Sequence, residues 1–437
     1  MRKSTSVGIL PHRAVRLPER CWYKIKALKG SPLSAVSGQP NPWVIVGVST
    51  IQQAGLTFIR FGLPALGPFI RQESGLALGQ VGLLFGALDA GALLTFYLAG
   101  RATVRFGERA ILAGGALLTG VLTALAALIP GFWPQAGLLA VAGAGLPSSH
   151  LAGSQAIVRL MPPERRGVAM GIRQAGLPLG GLTAAALLPA VAGAAGWRTA
   201  LVVAGLACAA TGLLALGLVP AEPAGRPADL DGLPGSGPGL LLKDRVLLRS
   251  SLAGCLLVVG QFCLTGYLPL YLVDHFGWAQ ADAARTLTLV HAGAIVGRLS
   301  WGWVSDRTFK GERVRTLSLV ALLGAVVLGA VILLSVVNGV GWLGVALVAF
   351  GAGFTLLGWQ GLHVALVAEV SPVAPAIALG LAFTGIYAFS MASPPLFGRL
   401  VEVTGSYAVG WAALIPFQLG TILTLSRLNS SGRPRRG

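Results

Sequence analysis

"PAEPAGRPADLDGLPGSGPGLLLKDR", residues 220–245, is the longest internal stretch of this chain that no apolar run claims. Its Pro, Gly and Asp content is that of a flexible linker rather than a packed element. On both sides the sequence returns to runs of Leu, Ala, Val and Gly, each long enough, at roughly 20 residues, to cross a bilayer as a helix. They lie near 43–68, 78–99, 110–129, 136–158, 167–190 and 198–219 before the stretch, and near 248–272, 284–304, 315–336, 342–367, 376–396 and 407–426 after it. The linker therefore divides twelve runs six and six. The organisation expected is a basic tail (1–42), a six-helix bundle (43–219), a cytoplasmic linker (220–247), a second six-helix bundle (248–426) and a basic tail (427–437).

Composition agrees. A chain of 437 residues that is 54% hydrophobic and 11% charged, with mean hydropathy +0.75, has the bilayer as its solvent. Its 62 glycines suit helices that approach closely where lipid offers no hydrophobic drive to associate. The net charge of +18 raises the question of nucleic acid, and the positions of the 33 Lys and Arg answer it. With twelve runs, one side of the membrane receives both tails, the linker and 26 of these residues; the other receives Arg71, Arg285 and Arg399. Four more, Arg60, Arg173, Arg198 and Arg298, lie within runs. That bias places both termini in the cytoplasm of a multi-pass protein of the cell membrane. It leaves no case for nucleic acid as a partner. Cys21, Cys208, Cys255 and Cys263 form no CxxC or Cys/His pattern, so neither disulfide nor metal is expected. There is no phosphate-binding loop with Lys, no HExxH and no G-x-S-x-G elbow, which removes enzyme chemistry, ATP-driven transport and a resident cofactor.

The two halves repeat. At an offset of 202 residues, "DAGALLTFYLAGRATVR" from Asp89 lies over "HAGAIVGRLSWGWVSDR" from His291, with Ala90, Gly91 and Ala92 on Ala292, Gly293 and Ala294. At 209, "MPPERRGVAMG" (161–171) lies over "VSPVAPAIALG" (370–380). Parallel repeats in a twelve-run chain indicate a transporter with its substrate site near the midplane, between the halves.

The loop sequences "GRATVRFGER" (100–109) and "GWVSDRTFKGER" (302–313), with "RLMPPERRGVAMGIRQAGLPLGG" and "GWR" within 159–198, resemble the major facilitator superfamily. The resemblance covers about Trp43 to Arg427 and implies an all-helical fold of two pseudo-symmetric six-helix bundles working by alternating access. It further implies that the loop acid holds the cytoplasmic side shut by meeting a helix start in the other half. Here that acid is Asp306, followed by Arg307, and its expected target is Arg165 or Arg166 at the start of span 5. In the first copy the acid is replaced by Val104, leaving Arg105 and Arg109 as the loop's basic members, and the expected target at 371–376 has no arginine either. A latch on one side only is the expectation, set against solvated loop charges with a purely topological role.

Ionisable groups within spans are expensive and are functional candidates. Asp89 and His291 occupy matching places in spans 2 and 8, and Asp89 leads as the proton-coupling residue, with His291 beside it. Guanidinium groups match carboxylate and phosphate bidentately, which makes Arg298 and Arg60 candidates for an anionic substrate. Arg298 resembles the span 8 arginine of monocarboxylate, oxalate and nitrate members. The competing reading is structural pairing, Arg298 with Asp306 or Arg60 with Asp89. Gln53 shares a helix stripe with Arg60. His150, Trp359 and His363 are further candidates for the cavity, and Gln261, Tyr267 and Tyr387 for neutral hydrogen bonds. Arg173, near the end of span 5, reads as a snorkelling residue. The leading function is proton-coupled uptake of a small organic or inorganic anion by a monomer in the bilayer. A proton-driven drug or metabolite exporter, suggested by "GLPLGG" (176–181), is the alternative, and a non-transporting receptor or scaffold on the same fold a further one.

Overall fold

A computed structural model describes residues 41–220, 244–335, 341–371 and 375–429. The N-terminal tail, almost all of the central linker and the end of the C-terminal tail lie outside the described residues, as does residue 372–374 of the target segment at 371–376.

The helices are α1 (Pro42–Ser74), α2 (Leu78–Phe106), α3 (Glu108–Leu128), α4 (Phe132–Gly143), α5 (Pro147–Leu160), α6 (Pro163–Leu218), α7 (Arg245–Phe276), α8 (Gln280–Arg307), α9 (Arg313–Leu334), α10 (Trp342–Ala352), α11 (Gln360–Val370), α12 (Pro375–Thr404) and α13 (Tyr407–Asn429). A π-helical turn, Gly353–Leu357, follows α10. Among the described residues, eight segments are long and apolar enough to cross a membrane by length and composition. Counting α4 with α5 as one pass, α10 with α11 as one, and α6 as two passes joined at Gly196, the described helices agree with the twelve apolar runs.

Sequence signals at the ends explain the boundaries. Asn41 caps α1 by accepting from Trp43 N, and Asp244 caps α7 by accepting from Val246 N and Leu247 N. Each of these helices stops at a left-handed glycine, Gly75 (φ 64°) and Gly277 (φ 66°), which are 202 residues apart. The sharp turns at Gly196 (φ 83°) and Gly405 (φ 63°), 209 apart, likewise end matching passes.

The repeat extends to packing. A Cβ at Gly143 would lie 1.9 Å from Leu88 O, and one at Gly91 1.8 Å from Ala140 O. In the second half the same contacts recur: Gly353 against Val290 O (1.8 Å) and Gly293 against Phe350 O (2.2 Å). Backbone thus meets backbone where α2 crosses α4 and where α8 crosses α10, a closeness only Gly allows. Polarity is that of a membrane protein. Leu94, Leu299 and Leu343 are more than 70% exposed, whereas Asp89, Arg173, Gln53, Gln261 and His291 are at most 2% exposed. Cys208, Cys255 and Cys263 are buried free thiols.

Two ends of the helix array matter below. The basic face carries the start of α1, the linker ends and the α8–α9 turn; the far face carries the α1–α2 and α7–α8 turns.

Candidate functional site

A cavity of about 430 Å³ lies between the halves. Arg60, His150, Met170, Gln174 and Leu177 line it from the first half; Phe262, Arg298, Trp359, Gln360, His363, Phe383 and Tyr387 line it from the second. A wider groove of about 940 Å³ lies apart from these groups, at the far face, beside Trp278 stacked on Trp342.

Arg60 is held on three sides. Its Nη2 donates to Asp89 Oδ2 at 2.9 Å, and its Nε lies 2.7 Å from Asp89 Oδ1, off the hydrogen-bonding direction, so that contact is chiefly electrostatic. The guanidinium also sits over Phe262 (4.6 Å) and Tyr387 (4.7 Å), both from the second half. Of the two readings open in the sequence, Arg60 with Asp89 is the one formed. Removing one member of such a buried pair costs about 3–5 kcal/mol, because the other charge is stranded. The two rings add about 0.5–2 kcal/mol each, depending on how dry the clamp is. The pair and its clamp thus couple α1 and α2 to α7 and α12.

Arg173 is not a snorkelling residue. It is 2% exposed, and its Nη1 donates to Gln53 Oε1 (2.6 Å) and Ser149 O (2.9 Å). Gln53 Nε2 in turn donates to Gln174 Oε1 at 3.3 Å. Gln53 is therefore occupied by Arg173 and does not line the cavity. Sequence reasoning missed this because Arg173 lies close to a helix end in the chain; helix packing carries it beneath α1 and α5. The glycines of 176–181 serve the same packing. Gly176 and Gly180 abut Thr50, Ala54 and Thr57 of α1, and Gly181 lies directly against the His291 ring.

Arg298 does not pair with Asp306. Its Nη2 donates to Gln360 Oε1, while its Nε is buried without a hydrogen-bond partner. Gln360 Nε2 donates to Gln261 Oε1 at 3.4 Å, which places Gln261 behind the cavity wall. Some of the cavity's polar members follow the two breaks, while Arg60, Gln174, Arg298 and Tyr387 come from α1, α6, α8 and α12. His150 follows the interruption at Ala144–Leu146, and Trp359 and Gln360 follow the π turn. His363 Nε2 donates to Ser250 O (2.9 Å), and Trp359 packs edge-on against the ring. His291 is 1% exposed, lies against Phe61 (4.8 Å between ring centroids) and does not line the cavity.

At the far face the halves are joined. Arg71 pairs with Asp274, which also accepts from Tyr407 Oη at 2.6 Å. Gln280 bridges to Pro68 O (3.1 Å) and Gln72, and Gly79 N donates to Glu402 Oε1 at 2.8 Å. The Tyr267 hydroxyl, expected at the substrate, instead lies 2.8 Å from Leu78 O and 2.7 Å from Pro394 O, so its one proton bridges the halves here.

At the basic face Asp306 does not reach Arg165 or Arg166. It accepts from Arg313 Nη1 at 2.6 Å, and Arg313 Nε lies 3.2 Å from Glu369. The α8–α9 turn explains the choice. Lys310 (φ 51°) and Gly311 (φ 83°) take left-handed conformations, Gly311 N returns to Ser305 O (2.8 Å), and Arg313 is thereby folded back over Asp306. Arg166 donates to Met161 O (3.0 Å), and Arg165 and Arg307 are exposed. Arg105 is exposed and lies over Phe106, and Arg109 is half-buried. The first half makes the counterpart of the Arg313–Glu369 pair with charges exchanged: Glu108 opens α3 and accepts Arg159 from the end of α5 at 2.7 Å.

Comparison with known proteins agrees with this architecture. The chain is 29% identical over 386 residues to an uncharacterized MFS-type transporter of Mycobacterium tuberculosis, covering 87% of this chain and 84% of the relative. It is 25% identical over 404 residues to a probable sulfoacetate transporter of Cupriavidus necator, covering 89% and 92%. Its fold matches the crystal structure of a bacterial homologue of the human lysosomal transporter Spinster, in an inward-facing and occupied conformation, with TM-score 0.74 at 15% identity over 92% of this chain and all of that one. The profile described as Major Facilitator Superfamily matches residues 51–371. With that match over most of its helices, the chain belongs to the Major Facilitator Superfamily and is a multi-pass membrane transporter of small molecules.

Proposed function

We propose that the protein takes up an organic anion together with protons, across the cell membrane, as a monomer with both termini in the cytoplasm. The observation that carries this reading is Arg298: a guanidinium on the wall of a central, largely apolar cavity, whose only hydrogen-bond partner among the described residues is a neutral amide and whose Nε is buried unpartnered. A buried cation without a counter-charge is costly, and an anionic substrate relieves the cost. A relative at 25% identity bears the name of a probable transporter of sulfoacetate, itself an organic anion, which supports the class.

Asp89 supplies the proton coupling in this reading. Protonating it leaves Arg60 charged inside a clamp of two rings; an anion in the cavity beside it offsets that charge. Proton and anion therefore favour one another's binding, by equal free energies in each direction. Anion affinity is expected to rise as pH falls.

The test is transport of radiolabelled organic anions, sulfoacetate and the ring-bearing benzenesulfonate, in proteoliposomes with an imposed pH gradient. The parent is expected to accumulate the anion against its gradient. Asp89→Asn is expected to retain anion exchange and to lose accumulation, since an amide cannot carry the proton. Arg298→Ala is expected to lose affinity tenfold or more. Accumulation by Asp89→Asn equal to that of the parent would overturn the proton role, and unchanged affinity in Arg298→Ala the anion site.

A further inference from the structure

We infer that the cavity is built for an anion whose charge sits at one end of an apolar, ring-sized body, its carboxylate or sulfonate held by Arg298 together with the indole N–H of Trp359. This rests on the reading of the cavity as an anion site and adds the shape and polarity of what fills it.

The first argument concerns the unpartnered atoms. Among the described cavity-lining residues, the buried side-chain polar atoms without a hydrogen-bond partner are Arg60 Nε, Arg298 Nε and Trp359 Nε1. All are donors. Arg60 Nε already faces Asp89, which leaves Arg298 and Trp359. They belong to neighbouring passes and are tied to one another through Gln360, which follows Trp359 and accepts from Arg298. Unpartnered donors of this kind call for a group that offers acceptor oxygens and no donor. Gln360 and Gly361, at the start of α11, line the cavity beside these donors.

The second argument concerns the rest of the wall. Leu177, Pro178, Val258, Phe262, Phe383 and Ile386 face the cavity from both halves. A hydroxylated body would bring donors that need acceptors, and the amide oxygens within reach are engaged: Gln174 Oε1 by Gln53, Gln360 Oε1 by Arg298. An inorganic anion would use the donors but leave most of a 430 Å³ apolar space without contact. A space of that size belongs with pockets that enclose an organic ligand. Apolar walls on both halves also give such a body something to bridge as the halves move.

The experiment is binding of tritiated benzoate to the purified full-length chain in detergent by scintillation proximity, which avoids diffusion of the free acid through a bilayer. Competitors are acetate, glucuronate, benzenesulfonate and neutral benzamide. Benzoate and benzenesulfonate are expected to bind at least tenfold tighter than acetate, glucuronate or benzamide. Trp359→Phe, which keeps a ring and removes the N–H, is expected to weaken benzoate by about tenfold, the effect of one hydrogen bond to a charged group. Should that variant fail to fold, Phe383→Ala reads the body instead and is expected to weaken benzoate while leaving acetate unchanged. Acetate or glucuronate binding as tightly as benzoate would overturn the substrate shape and leave the anion reading standing. Benzamide binding as tightly as benzoate, or no anion binding at all, would overturn both. Unchanged benzoate affinity in a folded Trp359→Phe would remove the indole from the head-group site.

Discussion

Arg173 and Arg60 illustrate two ways of keeping a guanidinium inside a membrane. Arg60 is neutralised by Asp89 and faced by rings, so its stability depends on a charge that a proton can remove. Arg173 is held by neutral acceptors, Gln53, the Ser149 carbonyl and Gln174, with its Nε buried unpartnered, and it lies off the cavity wall. The first arrangement suits coupling and the second suits construction. Replacing Arg173 by Leu strands Gln53 and the Ser149 carbonyl without their donor, at about 1–3 kcal/mol for each buried group left unsatisfied. A lower melting temperature in detergent, with anion affinity preserved in the folded fraction, is the expected outcome. A loss of affinity without a loss of stability would make Arg173 part of the binding site. The sequence singled out Arg60, Asp89 and Arg298 because each is an ionisable group within an apolar run. It misread Arg173, because distance from a helix end along the chain says nothing about which neighbouring helix lies over it.

At the scale of elements, the repeat is written most firmly in backbone-to-backbone crossings. Gly91 and Gly143 let α2 meet α4, and Gly293 and Gly353 let α8 meet α10. An added methyl at Gly143 or Gly353 would fall within 2 Å of a carbonyl oxygen, so the helices must part or the chain must fail to fold. Gly143→Ala and Gly353→Ala are each expected to reduce the yield of monodisperse protein severely. Gly114→Ala and Gly137→Ala, whose added methyls meet nothing within 4 Å, are expected to behave as the parent does in size-exclusion chromatography. The identity of Gly91 with Gly293 was legible in the sequence at an offset of 202. The breaks in the fourth and tenth passes were not, because each lies inside an uninterrupted apolar run, and hydropathy does not register whether a run is one helix or two.

For the whole molecule, cross-half polar contacts gather at the far face. Arg71 with Asp274, the Tyr267 hydroxyl between Leu78 and Pro394, and Glu402 at Gly79 N tie the halves there, whereas Asp306 is spent on Arg313 within its own half. If the far-face pair helps hold that side shut, Asp274→Asn shifts the population toward far-side opening. The expected result is faster labelling, by a membrane-impermeant maleimide added from that side, of a cysteine replacing the buried Ser393, a residue close to cysteine in size and next to Pro394 in the chain. The double exchange Arg71→Asp with Asp274→Arg is expected to restore slow labelling. Unchanged labelling in Asp274→Asn would show that Tyr267 and Glu402 suffice.

The sequence by itself determined the number of apolar passes, their division at residues 220–245, the pseudo-symmetry and the concentration of charge on one face. Each of these is a local or periodic property, set by how a stretch of some twenty residues partitions between water and lipid. Only the tertiary structure decided the partners: Arg60 with Asp89 rather than with solvent or substrate, Asp306 with Arg313 rather than Arg165 or Arg166, and Tyr267 at the far face rather than in the cavity. In lipid a buried polar group without a partner is costly, and which partners come within reach follows from how the helices cross, to which residues far apart in the chain contribute equally.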